Sequence, residues 1–196
     1  MRFPSLTALP DRMIRDRELL DQLIDPTARQ RLPRDSRAFV RVDMSLRNYW
    51  HTLFDVCPDL LDMADPAGEQ IFDGFMAWAA EQHLSMGWHF YLWVGRWLAQ
   101  SPFQHQLTDA LQEQLMAAAA ARWAVLDRSP QVGVVLGRAA STGWVVGWKP
   151  NSLLAGRRVE RIEVDSGLPS PEADLGLFYT NSFELDTFPG WQVLPK

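Results

Sequence analysis

Val132-Gly133-Val134-Val135-Leu136-Gly137, followed closely by Gly143-Trp144-Val145-Val146-Gly147-Trp148, is where the chain changes its structural code. Before Pro130 apolar residues recur at helical spacing. After it β-branched residues and glycine alternate, the pattern of strands. The two stretches are expected to pair as an antiparallel hairpin around the loop Ala139-Ala140-Ser141. In that register Leu136 lies opposite Trp144, Val134 opposite Val146 and Val132 opposite Trp148. The other face pairs Gly137 with Gly143, Val135 with Val145 and Gly133 with Gly147. One face is bulky and the other nearly bare. Glycine inside a strand weakens it and often marks the close approach of another group. Either a helix packs on the bare face, or one face is a docking surface with Trp144 and Trp148 as anchors. A one-residue slip would exchange the two faces.

Outward from the hairpin, further strands are expected at 158–165, 175–179 and 182–186, with turns at Pro169-Ser170-Pro171 and Pro189-Gly190. Upstream, residues 11–24 read as a short amphipathic helix with Met13, Leu20, Leu23 and Ile24 inward. Pro26 and Pro33 interrupt the helical pattern after it. Arg37 to Asp43 alternates as a short strand or extended link. Ser45 can cap a helix holding Leu46, Tyr49, Trp50, Leu53 and Phe54, which stops before Pro58. Asp65-Pro66 opens the next helix, to about Gln82, burying Ile71, Phe72, Phe75, Trp78 and Ala79. Two more are expected at 85–100 and from Ser101-Pro102 to Leu126. The fold class is α+β: a helical N-terminal two thirds of about four to five helices, and a small antiparallel β-sheet in the C-terminal third. The length suits a single domain, 1–196, made of an N-terminal helix and extended arm (1–43), a helical core (44–128) and a β-rich subdomain (131–196).

Composition narrows the function. With 47% hydrophobic and 22% charged residues the chain buries a core. Arginine supplies all its basic residues but Lys149 and Lys196, a bacterial coding bias. Met1-Arg2-Phe3-Pro4 leads into a charged stretch rather than a signal peptide, and Leu84 to Gly95 is too short to span a bilayer. The single cysteine, Cys57, excludes an internal disulfide. These features indicate a cytoplasmic protein with no membrane partner. Net charge is −5, unevenly spread: residues 48–121 hold nine acids against Arg96 alone. The N-terminal arginines Arg12, Arg15, Arg17, Arg29, Arg31, Arg34 and Arg37 are interleaved with acids, so no nucleic-acid partner is expected.

Catalytic signatures are missing: no G-x-S-x-G, Walker A, G-x-G-x-x-G, H-E-x-x-H or C-x-x-C occurs. His83 and His89 are six apart, off a common helical face, so no metal or cofactor is expected. Cys57 stands before Pro58 among acids, which raises a thiol's pKa and dulls it as a nucleophile. Two readings remain. In the first, the chain is a non-catalytic protein-binding or inhibitory protein of immunity, antitoxin or anti-activator type. It meets a basic protein partner through an acidic patch, Asp55, Asp59, Asp62, Asp65 and Glu69, and the aromatic anchors Trp144, Trp148 and Trp191. In the second, it binds a small molecule, or is an enzyme of unfamiliar type, in an aromatic pocket around His89, Tyr91 and Arg96. His89 and Arg96 fall on the one narrow polar stripe of the expected 85–100 helix, with Ser85 and Gln100.

Overall fold

A computed structural model describes residues 26–64, 68–127, 129–139, 143–150, 158–162, 174–183 and 192–194. The architecture is mixed, with helices in the N-terminal two thirds and an antiparallel sheet in the C-terminal third. The chain divides into two compact units, Met1–Glu81 and Gln82–Lys196. The expected 11–24 helix lies outside the described residues.

The first unit contains α1 (Pro26–Arg31), α2 (Arg37–Phe54), a 3₁₀ turn (Pro58–Met63) and α3 (Glu69–Glu81). The stretch from Arg37 to Asp43, expected to be extended, is helical. Ser36, not Ser45, is the N-cap, and its hydroxyl accepts the Phe39 N–H at 3.1 Å. Val42 continues the stripe of Leu53 one turn at a time, so the inward face starts earlier than the cap at Ser45 suggests. In α3, Ile71, Phe72, Phe75, Met76 and Ala79 are buried, at helical spacing.

The second unit holds α4 (Phe90–Leu98), α5 (Asp109–Leu126) and five strands: β1 (Val132–Arg138), β2 (Trp144–Lys149), β3 (Arg158–Ile162), β4 (Leu175–Thr180) and β5 (Gln192–Val193). Their order in the sheet is β3-β2-β1-β4-β5, all neighbours antiparallel. The helix expected over 85–100 is shortened. A turn around Gly87 precedes it, closed by the Phe90 N–H on the Gly87 carbonyl at 3.3 Å. The last long helix starts at Asp109 rather than at Ser101. Thr108 caps it, its hydroxyl accepting the Leu111 N–H at 3.2 Å.

The β1–β2 hairpin pairs Val134 with Trp148, Leu136 with Val146 and Arg138 with Trp144. This is two residues away from the expected register, because the loop runs from Ala139, whose N–H donates to the Gly143 carbonyl. A two-residue shift keeps every side chain on its expected face. On the bare face lies α5: the Trp123 ring covers Gly133 so closely that a Cβ there would overlap it, and Met116 Cγ would stand 2.8 Å from a Cβ on Gly147. The opposite face is a core of Val132, Val134, Trp144, Val146, Trp148 and Phe178, with Ile162 and Phe183 packed against it. Trp144 is 3% exposed and Trp148 1%. These rings are therefore core residues, not presented anchors: the later strand β4 and its neighbours cover them. Trp191 lies outside the described residues. Among the described residues no helix is long and apolar enough to cross a membrane.

Candidate functional site

Within the second unit, α4, α5 and the adjoining ends of β1, β4 and β5 enclose an open cleft of about 640 Å³. It exists because two packing rules meet there. Helix α4 is apolar nearly all round, so Phe90, Tyr91, Leu92, Trp93, Val94, Trp97 and Leu98 are all buried. Its open side is the Gly95–Arg96 edge, where the missing side chain of Gly95 lets the cleft reach the helix backbone. A Cβ at Gly95 would meet only Leu115 Cδ1, at 3.5 Å. Across from it, Leu115 and Met116 of α5 and Gly137 of β1 form an apolar wall.

The polar rim is built around Arg138, the last residue of β1. Its backbone N–H donates to the Asp174 carbonyl at 2.9 Å, and its carbonyl accepts from Gln112 Nε2 at 2.6 Å. Its Nε donates to Asp174 Oδ1 at 2.9 Å, and the guanidinium carbon stands 4.8 Å from the centre of the Trp144 ring. Strand register puts this side chain on the Trp144 face of the sheet, opposite α5, where Asp174 and the ring hold it more than half exposed; it is the Arg138 carbonyl that Gln112 of α5 reaches. Arg96 lies 5.9 Å from the Trp93 ring centre and makes no ion pair with a described residue. Tyr91, Gln100 and Gln112 complete the polar lining. The cleft offers cations, amides and apolar wall; its described lining holds no histidine, cysteine or serine to act as a base or nucleophile.

Of the pocket residues expected from sequence, Tyr91 and Arg96 come together here and His89 does not. His89 precedes α4 instead of lying on it, and is buried with Trp88 at 5.3 Å and Trp93 at 5.6 Å between ring centroids. The acids Asp55, Asp59, Asp62 and Glu69 are exposed in the first unit, Asp55 3.3 Å from His51; Asp65 lies outside the described residues. Among the described residues no three of His, Cys, Asp and Glu gather as metal ligands. Sequence reading missed Gln112, Arg138 and Asp174. Arg138 and Asp174 are joined across the β1–β4 ladder, a pairing that local periodicity does not reveal.

A second polar cluster lies under the sheet and is closed. The Lys149 ammonium donates to the Ser129 carbonyl, the Ser129 hydroxyl and the Gln131 carbonyl, each at 3.0 Å, and sits 3.3 Å from Asp127 Oδ2. Asp127 also accepts from Trp123 Nε1 at 3.1 Å and from the Tyr179 hydroxyl at 2.9 Å. Each of these groups has its partner, so the cluster ties the end of α5 to the sheet and leaves no reactive group free.

Cys57 is fully buried in the first unit. Burial first, and the charge of Asp59 second, push its thiol up to about 12. Its alkylation at pH 8 is expected to be slower than that of a free thiol by on the order of a thousandfold, and to recover on unfolding. Labelling with iodoacetamide with and without denaturant reads this directly; rapid labelling of the native chain would contradict it.

Residues 29–195 match the family model described as "Methanobactin biosynthesis cassette protein MbnC-like", and the chain belongs to that family. No curated protein matches it. Membership corrects the reading of the chain as an immunity, antitoxin or inhibitor protein: the family points to a biosynthetic role. Net acidity and abundant tryptophan, which carried the inhibitor reading, are general properties of soluble surfaces and cores and do not specify inhibition.

Proposed function

We propose that this member of the MbnC-like family serves its biosynthetic cassette by holding a substrate or intermediate in the cleft between α4, α5 and the sheet, the bond-making chemistry residing in another component. The cleft itself carries the reading. Its volume falls within the roughly 300–1,000 Å³ of ligand sites, and it combines apolar walls with a few convergent polar groups. Its described lining holds no histidine, cysteine or serine, and its one carboxylate, Asp174, is bonded to Arg138. The compartment proposed is the cytoplasm, where a sole buried thiol such as Cys57 stays reduced. A basic partner docking on exposed Asp55, Asp59, Asp62 and Glu69 belongs to the same proposal, and would bind less well as salt rises.

Gly95→Phe tests the cleft. Its ring enters the space left by Gly95, while Gly95→Ala makes only an ordinary contact with Leu115. In cells expressing the cassette, Gly95→Phe is expected to lower product at least about tenfold with the chain still folded and present at normal level. Gly95→Ala is expected to keep product and to raise stability by about 1 kcal/mol, the helix propensity difference. Normal product from a folded Gly95→Phe chain would overturn the reading.

A further inference from the structure

We infer that Trp88, Trp123 and Tyr179 form a one-electron relay, which passes an oxidising equivalent from the partly exposed Trp88 to Tyr179 while the phenolic proton moves to Asp127. None of the three rings lines the cleft, so the relay is separate from the ligand site. Thiols apart, indole and phenol are the side chains that give up one electron most readily. Here they are contiguous within the second unit. The Trp88 and Trp123 rings stack at 4.3 Å and 10° between planes, so their π-systems overlap. Trp88 reaches solvent in part, whereas Trp123 is 1% exposed. The Trp123 ring meets Tyr179 edge-on at 5.5 Å and 66°.

Packing accounts for touching rings; it does not require a base at the end of the row. The Tyr179 hydroxyl donates to Asp127 Oδ2 at 2.9 Å, and Trp123 Nε1 donates to the same oxygen at 3.1 Å. Burial opposes the charge on Asp127, yet bonds from Ser129 and Tyr179 and the Lys149 ammonium keep it ionised at neutral pH. A phenol that has lost an electron is a far stronger acid than any carboxylic acid. Its proton therefore crosses the hydrogen bond as the electron leaves, and a neutral tyrosyl radical remains. Lys149 Nζ stands 6.0 Å from the Trp123 ring centre and disfavours a cation resting there, but not a neutral tyrosyl.

The oxidant is of the peroxide-derived radical class. It takes one electron from Trp88 and is reduced to its anion. Trp123 refills Trp88, and Tyr179 refills Trp123. Tyr179 has then lost one electron, and Asp127 holds its proton. A small thiol gives one electron to the tyrosyl and a proton to water, becoming a thiyl radical. The proton on Asp127 returns to the phenol oxygen. The oxidising equivalent thus reaches one defined phenol instead of damaging sulfur side chains such as Met116.

The test uses the full chain and azide radicals made by pulse radiolysis, which oxidise indole in preference to phenol at neutral pH. Indolyl and phenoxyl radicals have separate absorption bands. In wild type the indolyl band is expected to decay as the phenoxyl band rises. That rise should be independent of protein concentration and slower in deuterium oxide. Tyr179→Phe should lose it and prolong the indolyl band; Tyr49 and Tyr91 remain in that variant, so the difference isolates Tyr179. Trp88→Phe should lower the phenoxyl yield, Asp127→Asn should slow the rise, and glutathione should shorten the phenoxyl lifetime. If Asp127→Asn fails to fold, the Trp88 and Tyr179 variants and the deuterium effect decide. No phenoxyl rise, a rise that survives Tyr179→Phe or is unchanged in Trp88→Phe, or a rate that climbs with protein concentration would overturn the inference. So would an absent deuterium effect, an equally fast rise in folded Asp127→Asn, or a phenoxyl lifetime indifferent to glutathione.

Discussion

Replacing Lys149 by alanine is expected to destabilise the second unit by about 3–5 kcal/mol, the usual cost of breaking a buried, hydrogen-bonded ion pair. The Lys149 side chain is only 1% exposed. Its removal strips the donor from the Ser129 and Gln131 carbonyls and the cation from Asp127, and opens a void beneath the Trp123 and Tyr179 rings, whose centroids lie 6.0 and 5.8 Å from Nζ. Methionine keeps most of the volume but none of the donors. Lys149→Met should therefore fall between wild type and alanine, losing about 1–3 kcal/mol for the orphaned acceptors. Urea titration followed by tryptophan fluorescence reads both. A Lys149→Ala chain within about 1 kcal/mol of wild type would show that this cluster does not anchor α5 to the sheet.

The same cluster sets two pH limits. Burial raises the Asp127 carboxyl, but bonds from the Ser129 N–H, the Tyr179 and Ser129 hydroxyls and the nearby Lys149 charge outweigh it, and its pKa settles at about 2. A carboxyl held below its unfolded value contributes stability that is full above about pH 4 and is lost as pH falls toward 2. Tyr179 moves the other way: burial first, then its bond to Asp127, raise its pKa. Its contribution is full below the ordinary phenol range near pH 10 and is lost as pH rises past the raised value. Asp127→Asn should flatten the acid limb of the stability profile between about pH 4 and 2, the window fixed by the lowered carboxyl.

The second large effect is expected at Gly133. This residue faces Lys149 on one neighbouring strand and Tyr179 on the other, with the Trp123 ring directly over it. A Cβ there overlaps the ring, and the ring cannot swing aside. Its Nε1 is bonded to Asp127, and its plane is stacked on Trp88 at 4.3 Å and 10°. Gly133→Ala should cost about 2–3 kcal/mol by overpacking, despite alanine's smaller backbone entropy loss. Gly95→Ala has the opposite sign because space exists there. Measured on one chain, the pair separates close approach from conformational preference. A neutral Gly133→Ala would mean that α5 does not press on the bare face of the sheet.

How much of the fold and cleft was legible in the sequence depends on the range of the interaction. The bare and bulky faces of β1 and β2 follow from side chains alternating with period two, and that parity survives the two-residue change of register. Whether the bulky face was covered could not be read locally. The cover on Trp148 comes partly from Phe178 and Phe183, some thirty residues further on, and from Glu160, which accepts the indole N–H at 2.6 Å. Arg96 was legible on the narrow polar stripe of an apolar helix, and Tyr91, expected in a pocket with it, lines the same cleft. His89 was misplaced because the turn at Gly87 starts the helix one residue too late to include it. Arg138 stayed hidden because its role depends on Asp174, brought beside it by strand pairing rather than by helical spacing. Function was least legible: an acidic surface and a tryptophan-rich core are common to inhibitors and biosynthetic proteins alike, and the family match supplies the distinction.

The central claim, that the cleft holds a cassette ligand, is tested most directly by native mass spectrometry. The chain would be purified from cells running the whole cassette and compared with its Gly95→Phe variant from the same cells. A defined added mass is expected on the wild-type chain, lost in Gly95→Phe and released from wild type on denaturation. A wild-type chain with no added mass, or the same mass on both chains, would contradict the claim.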